Sequence, residues 1–110
     1  TDFCGVRSGR DTDKRKEMHL TKEKADLVKA PMIKESPVNL ECRVVEKNDL
    51  GSHVMYQAKV LAVHVDEAYM DENRKFHLED AEPIVYSHGT YFSLGKELGT
   101  FGFSVKKKHR

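Results

Sequence analysis

The residues best suited to chemistry lie in the loop that opens the chain. Ser8, Gly9, Arg10 and Lys14 bring together a hydroxyl, a permissive backbone position and two cations. Where such a loop leads into a helix, its backbone N–H groups and cationic side chains can converge on a phosphate. The same composition is also typical of a solvated loop, and a lone Ser-Gly-Arg does not separate the two. The sequence therefore predicts either an anion cradle or a solvated loop over residues 4–14.

No other stretch carries a recognisable reaction motif. The six histidines show neither H-x-x-x-H nor a His/Cys spacing typical of zinc, so no metal site is predicted. The acidic stretch that begins at Asp71 resembles a calcium loop, but Phe76 occupies the sixth position, which needs glycine. There is also no dinucleotide fingerprint after a strand, no P-loop and no G-x-S-x-G elbow. We therefore predict no catalytic residue.

Strands are the main elements that would position this loop. Apolar and polar side chains alternate over residues 37–46, which predicts a half-buried antiparallel strand with Cys42 on its buried face. Residues 53–66 are rich in valine and lack proline, so they predict a second strand long enough to coil. A turn over residues 47–51 joins the two as a hairpin. With a short strand near 83–87, the pattern predicts one curved antiparallel sheet.

Helix is expected only within the first thirty residues. Asp11 or Thr12 would cap a short helix over residues 14–18. Thr21 would cap a second helix that ends at Lys29, before Pro31.

The last part of the chain alternates glycines with large apolar residues. Over residues 95–105 this pattern predicts an extended, closely packed segment. The basic residues 106–110 predict a solvated tail rather than an arm for nucleic acid.

Charge and composition exclude several classes of partner. The 110-residue chain has 19 Lys and Arg against 18 Asp and Glu, so its net charge is only +1. A charge this small does not favour long-range electrostatic attraction of nucleic acid or of an anionic membrane. No apolar run approaches the length of about 18 residues needed for a membrane span. Cys4 and Cys42 lack a C-x-x-C spacing and are typical of reduced cytoplasmic thiols. The chain begins at Thr1 rather than Met, so we expect a fragment of a longer protein.

Four stretches together resemble one family, the flavin reductase-like, flavoredoxin-type FMN-binding proteins. They are DFCGVRSGRDTDK at 2–14, KAPMIKESPVNLECRVVE at 29–46, LGSHVMYQAKVLAVHVDEAYMDE at 50–72 and IVYSHGTYFSLGKELGTFGFSVKK at 84–107. They cover most of the chain in order and correspond to the C-terminal part of such a domain. The resemblance implies a mostly β fold with short N-terminal helices, an FMN-binding split β-barrel that is incomplete at its N-terminus. It implies a loop and short helices over residues 1–36, barrel strands over 37–105 and a basic tail over 106–110.

The resemblance also implies an activity. Proteins of this kind pass electrons from NADH or NADPH through non-covalently bound FMN to a flavin or to an acceptor protein, and they are cytoplasmic homodimers. Hydride transfer is the flavin's own chemistry, so no protein acid or base is required. The alternative is a non-enzymatic FMN-binding or dimerisation module with no activity of its own.

The resemblance assigns site residues as well. It places Ser8, Gly9, Arg10 and Lys14 near the FMN phosphate and makes His53 a flavin-contacting histidine. It also implies an aromatic residue near the flavin ring from the stretch that contains Tyr86 and Tyr91. On the residues alone, His53 would instead be a strand-start residue bonded to a nearby carbonyl.

One departure from the family pattern bears on a turn. Arg74 stands where the family usually has glycine, which makes the predicted turn over residues 72–75 harder to form.

Overall fold

The computed structural model describes residues 1–105, so the predicted basic tail at 106–110 lies outside the described residues. Two short helices come first, followed by strands that pair antiparallel. The helices are α1 (Asp2–Val6) and α2 (Lys14–Glu17), and the strands are β1 (Lys22–Glu23), β2 (Met32–Ile33), β3 (Val38–Asp49), β4 (Val54–Val65), β5 (Ile84–Ser87) and β6 (Thr90–Ser93). Single 3₁₀ turns occur at Glu67–Tyr69, Leu78–Ala81 and Phe103–Val105. No helix among the described residues is long and apolar enough to cross a membrane.

The long hairpin of β3 and β4 is the largest element and confirms the two strands predicted from alternation and valine content. Its register runs from Val38 opposite Val65 to Asp49 opposite Val54, so β3 continues through most of the predicted turn. Register shifts after Glu41 and after Val44 are bulges, which increase twist and bend the ribbon.

The chain divides into two compact units, residues 1–76 and the residues from 77 onward. In the second unit β5 pairs with β6 alone, and each sheet among the described residues has two strands. The prediction of one curved sheet that includes residues 83–87 is therefore wrong. The physical reason is a tight hairpin that the sequence analysis did not predict. The two-residue turn at His88 and Gly89 has φ angles of 51° and 81°, which suit such a hairpin and bring residues 90–93 back as the partner strand of β5.

The N-terminal helices differ in part from the prediction. Helix α2 forms where expected, but Asp13 is its cap and accepts the Lys16 N–H at 3.2 Å, rather than Asp11 or Thr12. The predicted second helix over residues 21–29 is wrong, because Thr21 donates its N–H to Glu35 and the residues after it pair with β2.

Burial also departs from the alternating pattern. Cys42 is exposed rather than buried, because the opposite set of side chains faces inward at this point: Glu41 is 1% exposed, whereas Leu40, in the same set as Cys42, is 55% exposed. Close packing of the C-terminal segment is also wrong, since Leu98 is 91% exposed and Phe101 is fully exposed. Gly99 packs closely against the Phe103 ring there: a Cβ at Gly99 would lie 2.6 Å from Cδ1 of Phe103, so a larger residue would displace that ring.

Candidate functional site

The loop from Ser8 to Lys14 closes on itself and lines a cavity. The Ser8 carbonyl accepts the N–H groups of Asp11 and Thr12 at 3.1 and 3.0 Å, and the Ser8 hydroxyl accepts the Arg10 N–H at 3.2 Å. The cavity has a volume of about 490 Å³ and is lined by Gly9, Arg10, Asp11, Thr12, Asp13 and Lys14. The structure thus brings Gly9 and both predicted cations to one cavity, together with two carboxylates.

Lys14 stands between this polar cavity and a second one. Its ammonium donates to the carbonyl of Cys4 at 2.5 Å, which ties α2 to α1. It also lines a cavity of about 310 Å³ whose other walls include Leu20, Met32 and Ile33. Lys14 therefore has both a structural partner and a position from which it can meet a ligand.

The remaining predicted site residues belong to other elements of the chain. His53 directly precedes β4 and is exposed, and its Nδ1 lies 2.8 Å from the Ser52 hydroxyl rather than a carbonyl. Tyr86 and Tyr91 belong to the second unit, where they face each other across β5 and β6. Their ring centroids are 5.0 Å apart with an interplanar angle of 62°, an edge-to-face pair. Tyr86 remains 64% exposed and could stack on a planar ligand.

Glu41 is a buried carboxylate that the sequence analysis did not identify as a candidate site residue. It is only 1% exposed, and its carboxylate accepts the N–H groups of Asp26, Leu27 and Val28 at 3.1, 2.6 and 3.1 Å. Its Oε2 also contacts Nε2 of His64 on β4. Because these contacts come from residues 13 to 23 positions away, no spacing in the sequence signals them.

The charges of this cluster are coupled. Burial raises the pKa of Glu41, but the His64 contact and the three N–H donors outweigh it and lower this pKa to about 2. Hydrogen bonding to Glu41 raises the pKa of His64 against the opposing effect of burial, and Asp26 adds to the rise. Ligand atoms of Asp26, Glu41 and His64 lie within 4.8 Å of one another, close enough to share a metal ion.

Two further side chains hold the same irregular segment. Asn39 accepts the N–H of Ile33 and donates to its carbonyl, both at 3.1 Å. Glu35 accepts the Thr21 N–H at 2.8 and 3.0 Å, and this bond lowers its pKa. Together with Glu41, these side chains form what we call the polar clamp: Asn39 and Glu41 fix residues 21–36 against β3, and Glu35 ties the two ends of this segment together.

Comparison with known proteins defines the class of fold. Flavoredoxin of Desulfovibrio vulgaris (Miyazaki F) superposes with a TM-score of 0.81 at 24% identity, covering 96% of this chain and 57% of that one. A flavoredoxin from Methanosarcina acetivorans superposes with a TM-score of 0.79 at 30% identity, covering 96% and 58%. The fold is that of the flavin reductase split barrels, which confirms the predicted fold class.

Sequence comparison then gives the family. The model of the flavin reductase like domain matches residues 1–95, so the chain belongs to this family. An uncharacterized protein of Archaeoglobus fulgidus is 37% identical over 98 residues, covering 88% of this chain and 50% of that protein. The chain thus spans about half the length of this relative and little more than half of the two flavoredoxins.

Proposed function

We propose that this chain binds FMN, with the phosphate in the cavity of the Ser8–Lys14 loop. The observation that supports this most directly is that Arg10 and Lys14 both line one cavity of about 490 Å³ in a chain of the flavin reductase-like family. Two cations within reach of one anion favour phosphate, since each contact is charge-assisted. The Asp13 carboxylate, one of the two negative charges at the cavity, has a partner of its own, because it accepts the Lys16 N–H as the cap of α2.

The remaining parts of the proposed site concern the flavin ring. His53 and one of the tyrosines Tyr86 and Tyr91 are proposed to contact it. Bound FMN would supply the hydride and electron transfer, with NADH or NADPH as reductant and a flavin or acceptor protein as oxidant. The protein's own part is to bind and orient the cofactor.

A cytoplasmic homodimer is the proposed assembly. The strand β4 has twelve residues, so His53 lies at one end of a ribbon roughly 35–40 Å long. The clamped segment next to Lys14 lies at the other end, since Ile33 binds Asn39 opposite His64. In this assembly a second copy supplies the residues that complete a site around one flavin. The free thiols Cys4 and Cys42 fit a reducing compartment.

Lys14→Met tests the phosphate position, because methionine keeps most of the side-chain stem and removes the charge. We expect FMN to bind about 10- to 150-fold more weakly, the equivalent of one charge-assisted bond of about 1.5–3 kcal/mol. Riboflavin, which has no phosphate, should bind as before. Lys16→Met, in the same helix and exposed, is the matched control and should leave both affinities unchanged.

Flavin fluorescence titrations of the three proteins measure these affinities. If Lys14→Met weakens the binding of FMN and of riboflavin equally, Lys14 acts only through its bond to Cys4. If the affinity for FMN is unchanged, the phosphate does not bind in this loop. Consumption of NADH or NADPH by the FMN-loaded chain then separates the enzyme from a non-enzymatic FMN-binding or dimerisation module, which would bind FMN without consuming either.

A further inference from the structure

The group formed by Asp26, Glu41 and His64 lies outside the proposed flavin site. Glu41 is buried on β3, His64 is partly buried on β4, and Asp26 belongs to the segment that the polar clamp holds. The Asp26 carboxylate is 74% exposed and lies 3.7 Å from Nε2 of His64. Two carboxylates therefore approach one imidazole nitrogen from two sides.

We propose that Asp26, Glu41 and His64 bind a divalent transition-metal ion of the zinc class. The donor set favours it: two carboxylates and one imidazole nitrogen lie together, and the two positive charges of a divalent ion balance both carboxylates. The ion takes the place of the imidazole proton, which leaves to solvent.

The geometry needs only small adjustments. Zinc binds imidazole nitrogen and carboxylate oxygen at about 2.0–2.2 Å, so adjacent ligand atoms lie roughly 3.3 Å apart. The three ligand atoms already lie within 4.8 Å of one another, and the exposed Asp26 side chain is free to close the gap. Glu41 keeps its Oε1 bonds to Leu27 and Val28, and its Oε2, which also accepts the Asp26 N–H at 3.1 Å, separates from Nε2 of His64 to admit the ion between them.

The ligand set indicates which ions fit. An imidazole nitrogen favours zinc, cobalt and nickel over magnesium and calcium, which prefer oxygen ligands alone. His64 also lines a cavity of about 270 Å³ with Glu23, Asn39 and Asp66. An ion can therefore approach His64 from this cavity and the 74% exposed Asp26 directly from solvent.

The experiment uses the chain after treatment with a chelator. Calorimetric titration with Zn²⁺ should show one ion per chain, Co²⁺ should develop a visible absorption band, and Zn²⁺ should raise the melting temperature. His64→Gln should lose the Co²⁺ band and the Zn²⁺ stabilisation, while its amide can still donate to Glu41. Asp26→Asn should weaken Zn²⁺ by at least about tenfold, the lower end of what even an outer-shell change costs.

His19→Asn is the matched control. It removes an exposed imidazole outside the cluster, and asparagine tolerates the backbone φ of 55° there. This variant should bind Zn²⁺ as the parent chain does. Absence of saturable binding by the parent chain, or binding that survives both His64→Gln and Asp26→Asn, would overturn the proposal. If His64→Gln fails to fold, the exposed Asp26→Asn decides alone, since an unchanged Zn²⁺ affinity there contradicts the three-ligand site.

Discussion

Asn39 offers the sharpest test of the polar clamp. Its Oδ1 accepts the Ile33 N–H at 3.1 Å, and its Nδ2 donates to the carbonyls of Ile33 and Ser36 at 3.1 and 3.4 Å. Asn39→Ala removes all of these bonds. At about 0.5–1.5 kcal/mol net for each bond, and with water recovering part of the exposed ones, we expect a loss of about 1–3 kcal/mol. The unfolding equilibrium should shift by roughly 5- to 150-fold.

Asn39→Asp refines the test. Aspartate keeps an acceptor for Ile33 but turns a second carboxylate oxygen towards the two carbonyls, so at neutral pH it should be at least as destabilising as alanine. Protonation of the new carboxylate in acid supplies a donor again, so the difference in unfolding free energy between Asn39→Asp and the parent chain should become smaller at low pH. Urea unfolding followed by circular dichroism gives the free energies, and hydrogen exchange of the Ile33 amide reports the local bond. Unchanged stability of Asn39→Ala, with the Ile33 amide still protected, would refute the clamp.

Three further predictions concern Glu35, Arg74 and the exposed side chains of the long hairpin. Hydrogen bonding to Thr21 lowers the pKa of Glu35 below its ordinary value of 4.5, so Glu35 stabilises the folded chain above that pH and this contribution is lost as pH falls through the lowered pKa. In Glu35→Gln, the free energy of unfolding measured in urea should therefore fall less between pH 7 and pH 3 than in the parent chain. Arg74 has a φ of 64°, so Arg74→Gly should stabilise by up to about 1 kcal/mol in thermal unfolding, whereas Lys75→Gly should destabilise. Leu40 and Val63 are 55% and 59% exposed on the long hairpin, so sedimentation should show self-association, and a monomer at every concentration would contradict this.

Local patterns in the sequence were enough to predict the long hairpin. Alternation over residues 38–45 and the valines of β4 act within each strand, and turn residues lie between them. The loop cavity was predictable for the same reason, since Gly9, Arg10 and Lys14 are neighbours in sequence.

Contacts between distant residues could not be predicted. A glutamate in an alternating strand indicates a solvent-facing side, yet Glu41 is the most buried side chain of residues 1–105, because three consecutive N–H groups bind its carboxylate. The helix predicted at Thr21 failed because Glu35, fourteen residues away, takes the Thr21 N–H. The spacing of residues in the sequence also does not indicate how far His53 lies from the loop of residues 8–14 at the other end of the hairpin.

Lys14 connects the stability of the N-terminal region to the proposed ligand. Its ammonium already donates to the Cys4 carbonyl, so a phosphate in the adjoining cavity must either share this ammonium or draw it away. An ammonium has three donors, which makes sharing possible without loss of the bond to α1. The same bond holds Lys14 near the cavity before any ligand arrives and so reduces the side-chain entropy lost on binding. A cation fixed by a backbone carbonyl is therefore better prepared for an anion than an exposed surface lysine such as Lys16.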